Sequence, residues 1–112
     1  MSFMKRLAFI GRSGADLKQF PREARKEAGY QLDQVQQGRE PKDWKPMISV
    51  GPGVRDIRIH ESSGAFRLIY VANFAEAVFV LHAFQKKSQR TPARELAVAT
   101  ARFKDLRQRM MR

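Results

Sequence analysis

Residues 54–84 hold three strand-length apolar runs, 54–60, 66–73 and 77–84, parted only by polar links at Ser62-Ser63-Gly64 and at residues 73–76. Links this short leave no room for a crossover helix, so consecutive runs must lie antiparallel. A fourth run, 47–50, joins the first through Gly51-Pro52-Gly53. Within 54–60, Ile57 and Ile59 alternate with Asp56, Arg58 and His60. Side chains alternate across a sheet, so one face is apolar and the other carries charge.

The flanking segments supply the cover. Residues 6–10 form a short apolar run closed by Gly11, which predicts a first strand. Ser13 offers a helix cap, Leu17 and Phe20 give a short helix, and Pro21 ends it while opening a second helix that runs to about Gln37. Ala24, Ala28, Leu32 and Val35 form the apolar side of that helix, and Gly38 stops it. The polar stretch 39–46, with two prolines and Trp44, is expected to be a loop. Thr91 caps and Pro92 opens a final helix over 93–110. These elements predict an α+β fold in a single domain over residues 1–112: a twisted antiparallel sheet, a helical pair on one face and a C-terminal helix.

Charge narrows the partner. The chain has 22 Lys and Arg against 11 Asp and Glu, a net charge of +11. Residues 85–112 alone hold nine basic and two acidic side chains, an asymmetry that points to a polyanion. With no Cys, disulfides, thiol nucleophiles and thiolate metal sites are excluded, and His60 and His82 are the two imidazoles. No metal or cofactor is expected. The first ten residues lack the apolar core and cleavage site of a signal peptide, so a cytoplasmic chain is expected.

Candidate chemistry therefore rests on cations. Arg58 and Arg67 lie on neighbouring strands, Arg55 just precedes them, and Lys86-Lys87 follow the last strand; together they could line a basic concavity. The alternative for Arg58 and Arg67 is a cross-strand pair with carboxylates such as Asp56 and Glu61. His82, inside Val80-Leu81-His82-Ala83-Phe84, is either a hydrogen-bonded core histidine or a proton shuttle, and His60 an exposed strand end or a second acid/base candidate. Trp44 and Tyr70 either stack on bases or fill the core. On the last helix Arg94, Arg102 and Arg109 fall on one face, and Leu96, Phe103 and Met110 form an apolar seam. The three arginines, with Lys45, Arg55 and Arg90, are the expected RNA contacts.

Several segments, taken in order, resemble a known family: Asp43-Trp44-Lys45-Pro46-Met47, Gly64-Ala65-Phe66-Arg67-Leu68-Ile69-Tyr70, and Leu81-His82-Ala83-Phe84-Gln85-Lys86-Lys87. Together with Val50-Gly51-Pro52-Gly53-Val54 and Ile57-Arg58-Ile59, they are similar to the phage-derived HigB-type branch of the RelE/ParE toxin superfamily. The resemblance covers nearly the whole chain. It implies a RelE-like fold, cleavage of mRNA on the ribosome, and a helix-turn-helix antitoxin as partner. It makes Arg67 the catalytic cation at the strand start, Arg58 a second, and Lys86 or Lys87 the basic group after the last strand. In that reading the guanidinium fork of Arg67 bridges the phosphate oxygens, and Arg67→Ala lowers cleavage about a hundredfold or more while leaving the fold intact. The same superfamily includes ParE-type toxins that bind gyrase without cutting RNA. A non-catalytic phage-derived nucleic-acid-binding protein is a third alternative.

Overall fold

A computed structural model describes residues 4–111 of the chain. The elements in order are β1 (Arg6–Phe9), α1 (Ser13–Lys18), α2 (Arg22–Gln36), β2 (Trp44–Pro46), β3 (Val54–Glu61), β4 (Gly64–Val71), β5 (Ala77–Lys86) and α3 (Ala93–Met110). One five-stranded sheet runs in the order β1-β5-β4-β3-β2. The fold is α+β, as the alternation of the sequence implies.

Strands β2 to β5 are antiparallel, as their short links require, but β1 pairs with β5 in parallel, from Arg6↔Ala77 to Phe9↔Val80. The sheet is therefore mixed rather than antiparallel. The cause is topological: β1 reaches β5 only after α1, α2 and three strands have intervened, a path long enough for a crossover. The strand expected at 47–50 is a turn, closed by Val50 N–H to the Met47 carbonyl at 3.0 Å, with Ile48 80% exposed. Pairing begins instead inside the expected loop, where Trp44 faces Ile57 on the sheet edge that tolerates Pro46.

Two apolar layers sandwich the sheet. Ile57, Ile59, Phe66, Leu68, Tyr70, Val78 and Val80 pack under α1 and α2 against Leu17, Ala24, Ala28, Leu32 and Val35. Val54, Ile69, Val71, Phe79 and Leu81 pack on the opposite face against Ala99, Phe103 and Leu106 of α3. The predicted seam of α3 holds, with Phe103 buried and Leu96 and Met110 packed against the cluster. Gly51 lets this layer close: a Cβ there would stand 2.0 Å from the Phe103 ring.

The helix ends correct two expectations. Ser13 lies inside α1 rather than capping it, and its buried hydroxyl donates to the Val80 carbonyl at 2.9 Å, tying the helix to β5. Pro92, not Thr91, occupies the N-cap of α3. Gly38 terminates α2 as expected: at φ +84° its N–H reaches the Val35 carbonyl, while Arg39 N–H reaches Gln34. That is the left-handed glycine end of a helix, with the last carbonyls of α2 satisfied by the chain that follows it.

Candidate functional site

The α3-side face of the sheet carries the charge. Register places Arg58 opposite Arg67, Arg67 opposite Phe84, Asp56 opposite Lys45, and Ala65 opposite Lys86. Lys45, Asp56, Arg58, Arg67, Phe84 and Lys86 thus share one face, in rows next to the area that α3 covers. A register shift between Ile69 and Tyr70 leaves Leu81 as a bulge, which brings His82 opposite Ile69 on this same face.

At the centre Arg67 Nη1 donates to Asp56 Oδ2 at 2.8 Å, and both side chains are almost fully buried. Burial raises the Asp56 carboxyl above its ordinary pKa, and the charges of Arg67, Arg58 and Lys86 oppose that rise. Three polar atoms of the cluster, Asp56 Oδ1, Arg58 Nε and Arg67 Nε, are buried without a hydrogen-bond partner. Buried polar atoms seldom stay unmatched, and they concentrate where a ligand or water completes the site. Lys86 is half-buried at the end of β5, and its ammonium sits below the ordinary lysine pKa. The first cause is desolvation; Arg67 and Arg58 push further down, and Asp56 pulls back. Arg58 is half-buried and Lys45 exposed.

The structure therefore joins Arg58, Arg67, Lys86 and Lys45, and for Arg67 it shows the pairing with Asp56 that was the alternative expectation. Its Nη1 is engaged by the Asp56 carboxylate, while its Nε is buried without a partner. Its removal would orphan a buried anion, which predicts a loss of stability. Lys87 is exposed beyond the strand end. Arg55 lies on the other sheet face, over the Trp44 ring at 3.9 Å, because it is one residue out of phase with Asp56 and Arg58.

His82 is neither free nor simply packed. Its Nε2 lies 2.9 Å from Glu95 Oε1, Arg102 Nη1 approaches its Nδ1 at 3.3 Å, and its ring stacks on Phe84 at 5.1 Å. Arg102 is a pure donor, so Nδ1 accepts and Nε2 carries the hydrogen toward Glu95. Arg102 also donates to the Leu81 carbonyl at 2.9 Å. It is thus an inward brace of α3 on β5, not one of an exposed row with Arg94 and Arg109. Arg94 and Arg90 are exposed, and Arg109 pairs with Asp105 one turn away. His60 is exposed, 4.0 Å from Asp43.

Asp56 and Glu95 are the residues that sequence reasoning undervalued. Asp56 had a legible signal: two residues before Arg58 on the same face, it is the diagonal neighbour of Arg67. Glu95 had none, because its partner comes from a strand whose bulge decides where His82 points. Among the described residues no three His, Asp or Glu side chains cluster as a metal site, and no helix is long and apolar enough to cross a membrane.

Comparison with known proteins adds a family. No curated protein matches the chain significantly. The family model described as phage derived protein Gp49-like (DUF891) matches residues 15–104, from α1 into α3 and across Lys45, Asp56, Arg58, Arg67, His82 and Lys86. The chain belongs to the phage-derived Gp49-like protein family.

Proposed function

We propose that this chain is the toxin of a toxin–antitoxin pair and that it cleaves mRNA bound to the ribosome. The observation that carries the reading is the group of four cations, Lys45, Arg58, Arg67 and Lys86, gathered around the single carboxylate of Asp56 on one sheet face. Such a group is built to hold phosphate. RNA brings its own nucleophile: the 2′-hydroxyl attacks the adjacent phosphorus, the bond to the 5′-oxygen breaks, and the 2′ proton leaves to a base. The 5′-oxygen then takes a proton, giving a 2′,3′-cyclic phosphate and a 5′-hydroxyl. Alignment and charge neutralisation supply most of the acceleration.

Arg58 and Lys45 hold the phosphate, and Lys86, with its lowered pKa, handles the proton at the 5′-oxygen. Arg67 acts one step back: clamped by Asp56, it keeps Lys86 poised and maintains the positive field. Exposed Lys87, Arg90 and Arg94, which follow directly in the chain, extend the track for ribosomal RNA. A neighbouring helix-turn-helix antitoxin is the partner this reading requires.

Induction in growing cells followed by primer extension on mRNA tests the proposal. Cuts confined to translated reading frames, lost in Arg58→Ala, are the expected result. Growth arrest with intact mRNA and inhibited gyrase would replace this reading with that of a gyrase-binding toxin. Neither arrest nor cleavage would leave a non-catalytic binding protein.

A further inference from the structure

A second site lies on the opposite face of the sheet. Between the C-terminal end of α2 and the ends of β3 and β4 is a cleft of about 600 Å³, lined among others by Lys5, Arg39, Arg55, Tyr70 and Asn73. Its volume falls within the range of pockets that take small organic ligands. Tyr70 forms part of its wall, fully buried, and its hydroxyl lies against the Arg55 guanidinium without a well-aligned hydrogen bond. Arg55 stands beside it, its guanidinium laid on the Trp44 ring at 3.9 Å. The carboxylate of Glu40 is 3.7 Å from Arg55 Nη1, outside hydrogen-bond reach. One buried hydroxyl and one pre-oriented planar fork thus converge with donors to spare.

We propose that this cleft binds a small organic oxyanion, a ligand of nucleotide size whose phosphate or carboxylate head is held by Arg55 and Tyr70. A charged acceptor matches both donors at once, and stacking on Trp44 has already fixed the plane of the arginine, as bidentate recognition requires. Lys5 and Arg39 outnumber the one acidic residue of the lining, Glu40. The apolar surface of Val35 and Ala72 leaves room for the body of the ligand, which a bare inorganic ion would not use. The site lies on the other side of the sheet from Arg58 and Lys86, so it does not depend on the function proposed for them.

Trp44 is the single tryptophan of the chain and reports directly on Arg55. The experiment titrates the full chain at near-physiological salt with adenosine monophosphate, with hippurate and with inorganic phosphate, following Trp44 fluorescence and confirming by calorimetry. Saturable binding of the nucleotide or of hippurate, weakened about tenfold in Tyr70→Phe and in Arg55→Gln, is expected. The two ligands tell a phosphate head from a carboxylate head. Tyr70→Phe removes a hydroxyl without a well-aligned hydrogen bond and keeps the ring, so the variant stays folded, which circular dichroism verifies. If nothing saturates, the cleft holds only water and the proposal fails. It fails equally if Arg58→Gln abolishes binding while Tyr70→Phe and Arg55→Gln do not, because the anion then sits on the other face.

Discussion

Arg67 and Asp56 meet across the β3–β4 diagonal at 2.8 Å, with 5% and 4% of their side-chain surface exposed. Breaking such a pair from one side leaves a buried charge alone. Arg67→Ala and Asp56→Ala should each lower stability by about 3 kcal/mol or more. The double variant Arg67→Met with Asp56→Leu should recover much of that loss yet cleave no RNA. Chemical denaturation and a ribosome cleavage assay check both parts. A double variant that is folded and fully active would detach the pair from function.

The pH dependence of stability carries the mark of the same carboxyl. Burial raises the Asp56 pKa above its ordinary value of 3.8. A carboxyl raised in the folded state favours folding most when protonated, below pH 3.8, and loses that contribution as pH climbs through the folded pKa. Relative to Asp56→Asn, the wild type should therefore lose stability as pH rises from 3.8 and level off once the carboxyl is ionised in both states. Denaturation curves of the two proteins across this range give the difference directly. A wild type that gains on the Asn variant with rising pH would mean that Arg67 overcomes desolvation.

Lys86 is the group whose surroundings tune proton transfer. Lys86→Ala should reduce cleavage about a hundredfold or more, with little change in ribosome binding. Lys86→Arg keeps the charge but not the titration, so it should bind the ribosome like the wild type without recovering the rate. The alkaline limb of the pH–rate profile, set by a lysine held below its usual pKa, should disappear in that variant. Full activity of Lys86→Arg would reduce Lys86 to a phosphate contact.

His82 and Glu95 hold α3 against β5. A double-mutant cycle with His82→Phe and Glu95→Gln should show a coupling of about 1 kcal/mol or more, since their hydrogen bond is mostly withdrawn from solvent. Nitrogen-detected NMR should find the hydrogen on Nε2, because Arg102 supplies a donor to Nδ1. Independent effects of the two substitutions, or a hydrogen on Nδ1, would show that this brace is not formed.

The sequence by itself determined the local elements. Apolar alternation, short polar links and the glycine after α2 are decided within a few residues, so β3, β4, β5, α2 and α3 were legible, as was the seam of α3. It also determined that Arg58 and Arg67 would be neighbours, since a tight turn fixes their register. Only the tertiary structure decided what those charges do. The parallel pairing of β1, the bulge at Leu81 and the placing of Glu95 under His82 all join residues far apart in sequence, where no spacing rule operates. The same holds for burial. Asp56 and Arg67 lose their water only once β3, β4 and β5 are assembled, and that desolvation, not the identity of either residue, turns two ordinary charges into a buried pair.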